Sequence, residues 1–208
     1  MRRLSWLAVA VGLIATRTPA GAQTHLPASG EVFKIRIYNY AHVPEQTLHA
    51  ASVDSAHIFE SAGSASSWQI CRIRESALVP DDARCDGSLD VNEFSVRIVN
   101  GPVRTGPDVL GYSVISPDHV GVLATVLFQR ILVLAERSGT DVASLLGRVM
   151  AHEVGHLVLG SSDHGWAGLM RAVWNVDPTT GFDQNSDWRF SREEAARIRR
   201  RIVGRFSP

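Results

Sequence analysis

The stretch 149–170, which reads VMAHEVGHLVLGSSDHGWAGLM, constrains the fold of this chain more than any other segment. Residues four apart lie on the same face of an α-helix, so the side chains of His152 and His156 can reach one metal ion from the same side. Leu145 falls on the same stripe, which predicts that the histidines continue a helix face directed into the core. Glu153 follows the first histidine, where its carboxylate can hold a water molecule beside the metal. This HExxH spacing is typical of a zinc hydrolase.

The residues after the motif supply candidates for a third zinc ligand. Gly160 is expected to end the helix, and Asp163 and His164 follow it within a short loop. We expect His164 to be the ligand, because imidazole suits zinc and three neutral histidines leave one coordination position for water. Asp163 is the neighbouring alternative, or it accepts a hydrogen bond from a ligand imidazole. A distant acid, Glu193 or Glu194, is a further alternative, although both stand at the start of a capped helix.

A different class of function is also compatible with the histidines. The chain would then be a zinc-stabilised binding module without turnover. A structural zinc site usually has four protein ligands and needs no carboxylate beside the metal. Glu153 therefore favours a hydrolase over such a module.

The same stretch resembles the metzincins, which are zinc peptidases with an HExxHxxGxxH motif and a methionine-containing turn. The HExxH residues match the first two ligands and the catalytic glutamate of that family. Gly160, His164 and Met170 are similar to the glycine, the third ligand and the methionine beneath the metal, in that order. The spacing differs, because Gly160 and His164 stand four and eight residues after His156, where the family has three and six. The resemblance covers about 20 residues.

The resemblance implies a zinc endopeptidase, in which Glu153 activates a water molecule on Zn²⁺ and passes its proton to the leaving amine. It also implies an α/β (α+β) fold: a single metzincin-like catalytic domain with a twisted mixed sheet, an active-site helix and a C-terminal helix. An extended substrate would pair with an edge strand near 110–115, and Val173 and Trp174 would line the leaving-side pocket. Periodicity by itself supports only a mixed α/β single domain.

The first 22 residues have the composition of a secretory signal peptide. Two arginines precede a 12-residue apolar run at 4–15, and the small residues at 20–22 form a cleavage site. The apolar run is too short to span a bilayer. We therefore expect a secreted or periplasmic protein with a mature catalytic domain at 23–208 and no stable membrane insertion after the signal is removed.

Two cysteines, Cys71 and Cys85, are the only ones in the chain. In an exported protein an even number of cysteines favours a disulfide, and closing a loop of this length is worth roughly 3 kcal/mol. Neither cysteine has the spacing of a zinc ligand. The bond would close the polar segment between two predicted strands.

Charge and partners are constrained by composition. The full chain has 21 basic and 21 acidic residues, and removal of the signal peptide leaves a small acidic excess. Such a balance gives no argument for binding nucleic acid or an anionic membrane. The expected partner is a peptide or protein substrate, and we expect a monomer.

Hydrophobic periodicity predicts the remaining elements. Strands are expected at 32–40, 68–73, 93–99 and 110–115, and the last is expected at an edge because glycines interrupt it. A strand near 123–128 should pass into a helix by 129. Further helices are expected at 44–61, from Thr140 as the cap to Leu159, and from Ser191, which forms a capping box with Glu194. The segment 161–187 lacks any period, and its length predicts a functional loop.

Overall fold

A computed structural model describes most of the chain from residue 32 onward. The described residues are 32–74, 79–80, 82–101, 105–106, 108–174, 176–177, 181–182 and 188–206. The predicted signal peptide at 1–22 and its cleavage site lie outside the described residues. Within them, no helix combines the length and the apolar composition needed to cross a bilayer.

The described part of the chain contains both strands and helices. The strands are β1 (Phe33–Asn39), β2 (Ser66–Cys71), β3 (Ile73–Arg74), β4 (Val79–Pro80), β5 (Glu93–Val99), β6 (Gly111–Ile115), β7 (Gly121–Leu127), β8 (Val176–Asp177) and β9 (Gly181–Phe182). The α-helices are α1 (Glu45–Ser61), α2 (Phe128–Ser138), α3 (Val142–Leu159) and α4 (Arg192–Phe206), and a short 3-10 helix covers Ala83–Cys85.

Five strands form the main sheet, in the order β2-β1-β5-β7-β6. The first four run parallel to their neighbours. β6 runs antiparallel to β7 and occupies the edge of the sheet. The predicted mixed α/β architecture and the predicted edge strand are therefore confirmed, as is the passage from a strand directly into a helix at the β7–α2 junction. The loop predicted at 161–187 contains a small hairpin, β8–β9.

The core lies between one face of this sheet and the helices. Alternate residues of β1, Phe33, Ile35 and Ile37, are fully buried and face α1 and α3, because successive side chains of a strand point to opposite faces. In the second part of α3, every residue from 149 to 159 is buried, and not only those on one stripe of the helix. The sheet, the other helices and the chain after α3 surround it, so the histidine motif stands in the interior of the domain.

Several boundaries differ by one or two residues from the sequence expectation; for example, β7 begins at Gly121 rather than near 123. β2 begins at Ser66, two residues before the predicted start, and ends at Cys71. The cap of α3 is Asp141 rather than Thr140, because the Asp141 carboxylate accepts a hydrogen bond of 2.8 Å from the Ser144 main-chain N–H. The preceding helix ends at Gly139 in the left-handed conformation, so Thr140 serves the turn between the two helices.

The predicted disulfide joins Cys71 to Cys85. The segment that follows Cys85 lies against the face of the sheet opposite the helices. There the Tyr38 hydroxyl donates to the Cys85 carbonyl at 3.0 Å, and the Arg36 guanidinium donates to the carbonyls of Gly87 and Ser88. Arg36 also forms a buried ion pair with Glu93. The disulfide and these polar contacts cover β1 on the face of the sheet opposite the helices.

The cap of α3 can be tested by alanine substitution. Asp141→Ala should lower the free energy of unfolding by about 1 kcal/mol, because the Ser144 N–H loses its acceptor. Thr140→Ala is the matched control and should change it by less than about half as much. Urea denaturation measures both. A larger loss in Thr140→Ala than in Asp141→Ala would contradict the assignment of the cap.

Candidate active site

Helix α3 carries three polar residues into the interior. His152, Glu153 and His156 are 8%, 5% and 5% exposed, respectively. The helix ends one turn later at Gly160, whose φ of +61° is the left-handed conformation that favours glycine. A Cβ atom at Gly160 would also lie only 2.3 Å from the His119 carbonyl oxygen. The glycine therefore lets the chain turn sharply after the second histidine, as predicted.

Hydrogen bonds to the main chain orient the two buried imidazoles. Nδ1 of His152 lies 2.9 Å from the Leu169 carbonyl oxygen, and Nδ1 of His156 lies 2.7 Å from that of Ser161. A carbonyl oxygen can only accept, so each Nδ1 carries the proton of the neutral ring. Both Nε2 atoms then present lone pairs, and they lie 3.1 Å apart.

The loop after α3 brings His164 to these two rings. Its ring centroid lies 5.4 Å from that of His152 and 4.8 Å from that of His156. One ring nitrogen from each histidine falls within a group whose atoms all lie within 4.8 Å of one another. Two nitrogen ligands of a tetrahedral zinc are about 3.3 Å apart. The buried pair fits this value closely, and the exposed His164 ring lies beside it. The three-histidine cluster is thus able to bind zinc.

Two of the three alternative ligands make other contacts, and the third, Glu193, is exposed and is not part of the histidine cluster. The Asp163 carboxylate accepts a hydrogen bond of 2.7 Å from the Ser161 hydroxyl. The Glu194 carboxylate accepts a hydrogen bond of 2.7 Å from the Ser191 N–H, and the Glu194 N–H donates to the Ser191 hydroxyl at 3.2 Å. These two hydrogen bonds confirm the predicted capping box. The structure therefore brings His164, and not these acids, to the two buried rings.

Burial keeps the imidazoles in the neutral form that a metal requires. Loss of solvation is the main cause that lowers the pKa of His152 to about 3, and the neighbouring His156 and His164 lower it further. The pKa of His156 is lowered mainly by the same loss of solvation. Burial therefore favours the uncharged form of both ligand candidates.

The carboxylate of Glu153 points toward the edge strand β6. Its Oε2 accepts a hydrogen bond of 2.7 Å from the Ser113 hydroxyl. Burial raises the pKa of Glu153 to about 7, and the Ser113 hydrogen bond partly offsets this rise. A carboxyl group that exchanges a proton near neutral pH has the property required of a general base that later acts as an acid.

The segment after His164 packs against α3 and the ring of His152. Met170 is buried, and its sulfur would lie 2.9 Å from a Cβ atom at Gly155, so this glycine within the HExxH motif makes room for it. The Leu169 carbonyl also accepts a hydrogen bond of 3.3 Å from the Trp174 indole. The Trp174 ring stands edge-on to His152 with centroids 5.6 Å apart. Trp174 thus borders the histidine cluster, while Val173 is 64% exposed beside it.

Sequence reasoning missed three contributors to this site. Ser113 binds Glu153, and the carbonyls of Ser161 and Leu169 orient the imidazoles. A serine within a strand has no motif, and a main-chain carbonyl has no sequence signal at all. The only available signal was the side-chain alternation of β6, which puts Ser113 on the face of the sheet that α3 covers.

Among the comparisons with known proteins, the likeness to one solved structure agrees with this architecture. No protein-family model matches the chain, and neither does any curated protein. The fold is similar to that of archaemetzincin from Methanopyrus kandleri, with a TM-score of 0.53 and 14% identity, over 86% of this chain and 99% of that one. A zinc-dependent peptidase from Methanocorpusculum labreanum matches with a TM-score of 0.48 and 15% identity, over 79% of this chain and 99% of that one. The likeness to the archaemetzincin shows the fold alone.

The buried carboxyl group predicts how the stability of the metal-free protein depends on pH. The pKa of Glu153 is about 7 in the folded protein against 4.5 for an ordinary glutamate. The folded state therefore binds the proton more tightly, and this group destabilises it as pH rises from 4.5 to 7. Glu153→Gln cannot ionise, so it should raise the free energy of unfolding by up to about 3 kcal/mol above pH 7.

At about pH 4 the two forms should differ little, because the carboxyl group is then protonated in both states. Urea denaturation of chelator-treated wild type and Glu153→Gln at both pH values measures this difference. The buried histidines are common to both proteins, and their contribution cancels. A difference of the same size at both pH values would contradict the prediction.

The third ligand can be tested by zinc content. His164→Ala should lose most of the bound zinc, because two imidazoles remain. Asp163→Ala should retain the metal, since its carboxylate contacts Ser161. Metal analysis after gel filtration measures both proteins. Full zinc in His164→Ala together with loss of zinc in Asp163→Ala would show a site with two histidines and one aspartate.

Proposed function

We propose that this protein is a secreted, metzincin-like zinc endopeptidase. One observation carries the proposal: the Nε2 lone pairs of two buried, neutral imidazoles face each other at 3.1 Å, with a third imidazole beside them. Such lone pairs repel unless a cation lies between them, and burial disfavours protonation of either ring. Three imidazoles are a donor set that suits zinc and leaves a coordination position open. Bound zinc would lower the pKa of a coordinated water to about 7 and polarise a carbonyl group.

Glu153 would act as the proton carrier of the reaction. Its Oε2 is engaged with Ser113, so Oε1 is the atom that takes the proton from the attacking water and passes it to the leaving amine. The buried surroundings that raise the pKa of Glu153 to about 7 make both transfers feasible at neutral pH. His152, His156 and His164 hold the metal and take no part in this proton transfer.

An extended peptide would bind along β6. This strand pairs with β7 on one side only, so its other edge has main-chain groups available for a substrate strand. Among the described strands none pairs with that edge, and an extended peptide bound along it would be cleaved inside its chain. Trp174 and Val173 would contact the substrate on the leaving side, since Trp174 borders His152.

Two further parts of the proposal rest on sequence. The relation to metzincins rests on the HExxH residues, Gly160, His164 and Met170, with a wider loop that still returns His164 to the cluster. Export rests on the predicted signal peptide at 1–22 and is compatible with the disulfide. The mature chain would then begin at Gln23, act as a monomer, and have peptides or proteins as its partners.

The general base is tested by Glu153→Gln. This variant should keep its zinc and lose about 100- to 10,000-fold in kcat, because an amide cannot take the proton. Labelled, unfolded casein serves as the substrate, with metal analysis of the same sample. Glu136→Gln, on the exposed side of α2, is the matched control and should retain full activity. Zinc-loaded wild type without activity toward casein and peptide mixtures would contradict the proposed function, and an active Glu153→Gln would contradict the proposed mechanism.

A further inference from the structure

The edge strand β6 makes two contacts with Glu153, both from the same face. Gly111 and Ser113 are two residues apart, so they face the same side of the sheet. In the pairing with β7 they lie opposite Val126 and Ala124, whose side chains belong to the core that α3 covers. β6 therefore reaches the motif helix directly, without an intervening element.

The first contact is a hydrogen bond that selects one carboxylate oxygen. The Ser113 hydroxyl lies 2.7 Å from Glu153 Oε2 and 2.8 Å from the Glu153 carbonyl oxygen. Its single proton is directed at these two acceptors of one residue, so it links both the side chain and the main chain of Glu153 to β6. Hydrogen bonds to a carboxylate are stronger than those between neutral groups, and Glu153 is buried, where water competes little.

The second contact is the space left by a missing side chain. A Cβ atom at Gly111 would lie 2.8 Å from Glu153 Oε1 and 2.9 Å from its Cγ. Such distances are far inside van der Waals contact, so the Glu153 side chain occupies the volume that any larger residue would fill. Gly111 and Ser113 together form the binding surface on β6 for the Glu153 carboxyl group.

We propose that Ser113 is a positioning residue that holds the Glu153 carboxylate against the substrate-binding strand. This inference rests on the proposed function, in which the peptide pairs with the free edge of β6. Base and substrate would then contact the same strand, so the Ser113 hydrogen bond would limit the variation in their separation. The hydroxyl also engages Oε2 and thereby leaves Oε1 as the atom that exchanges the proton.

Kinetics of three variants test this role. Ser113→Ala should lower kcat by about 10- to 100-fold, as loss of an orienting partner typically does, with KM and zinc content unchanged. Ser113→Thr keeps the hydroxyl and should restore most of the activity. Ser95→Ala is the matched control, because it removes a hydroxyl that donates to the Val122 carbonyl in the same sheet; it should leave kcat unchanged. An unchanged kcat in Ser113→Ala, or an equal loss in Ser113→Thr, would overturn the proposal.

Crystal structures of the zinc-loaded variants give a readout that does not need turnover. The Glu153 carboxyl group should keep one position in wild type and Ser113→Thr, and should move or become multiple in Ser113→Ala. An unmoved carboxyl group in Ser113→Ala would overturn the inference even if peptidase activity is present. Wild-type protein without turnover would instead overturn the proposed function, and the crystal structures would still decide the role of Ser113.

Discussion

The site depends on two hydrogen bonds from imidazole Nδ1 atoms to main-chain carbonyls. The Leu169 and Ser161 carbonyls decide the tautomer of His152 and His156, and with it the direction in which each lone pair points. Both carbonyls belong to the chain after α3, so the HExxH helix cannot orient its own ligands. A helix with the same residues in isolation would present both histidines on one face without selecting the nitrogen that meets the metal.

Burial shifts the pKa values of these groups, and it also lowers the stability of the folded protein. The same loss of solvation keeps His152 neutral and brings the pKa of Glu153 to about 7. Without a metal, the interior holds facing lone pairs and a carboxyl group that resists ionisation, both of which lower stability. Zinc would relieve the first of these directly. Binding of the metal and stability of the fold are therefore expected to be coupled in this protein.

Local contacts shape the chain between His156 and His164. Gly160 ends the helix against the His119 carbonyl, and the Ser161 hydroxyl caps the loop by bonding the Asp163 carboxylate at 2.7 Å and accepting from the Asp163 N–H at 3.1 Å. These contacts shape the loop that brings His164 to the other two histidines. Asp163 thereby stabilises the loop. Its carboxylate bonds Ser161 and is not part of the histidine cluster.

The sequence by itself determined those features that depend on residues close along the chain. Helix periodicity put His152 and His156 on one face, glycines marked the edge strand, and the Ser191 capping box marked the start of α4. An even number of cysteines indicated the disulfide between Cys71 and Cys85. One prediction that depended on adjacent residues was wrong, since Asp141 rather than Thr140 caps α3.

Only the tertiary structure decided which partners the motif residues meet. Ser113 reaches Glu153 across 40 residues of sequence, and Leu169 reaches His152 across 17. Such contacts arise because the sheet brings β6 over α3 and the following loop returns beneath it. A repeating pattern specifies which side of an element faces inward, but not which element lies there. Packing, and not the spacing of residues in the sequence, therefore decides the tautomers of the histidines, the contacts of the Glu153 carboxylate and the position of His164.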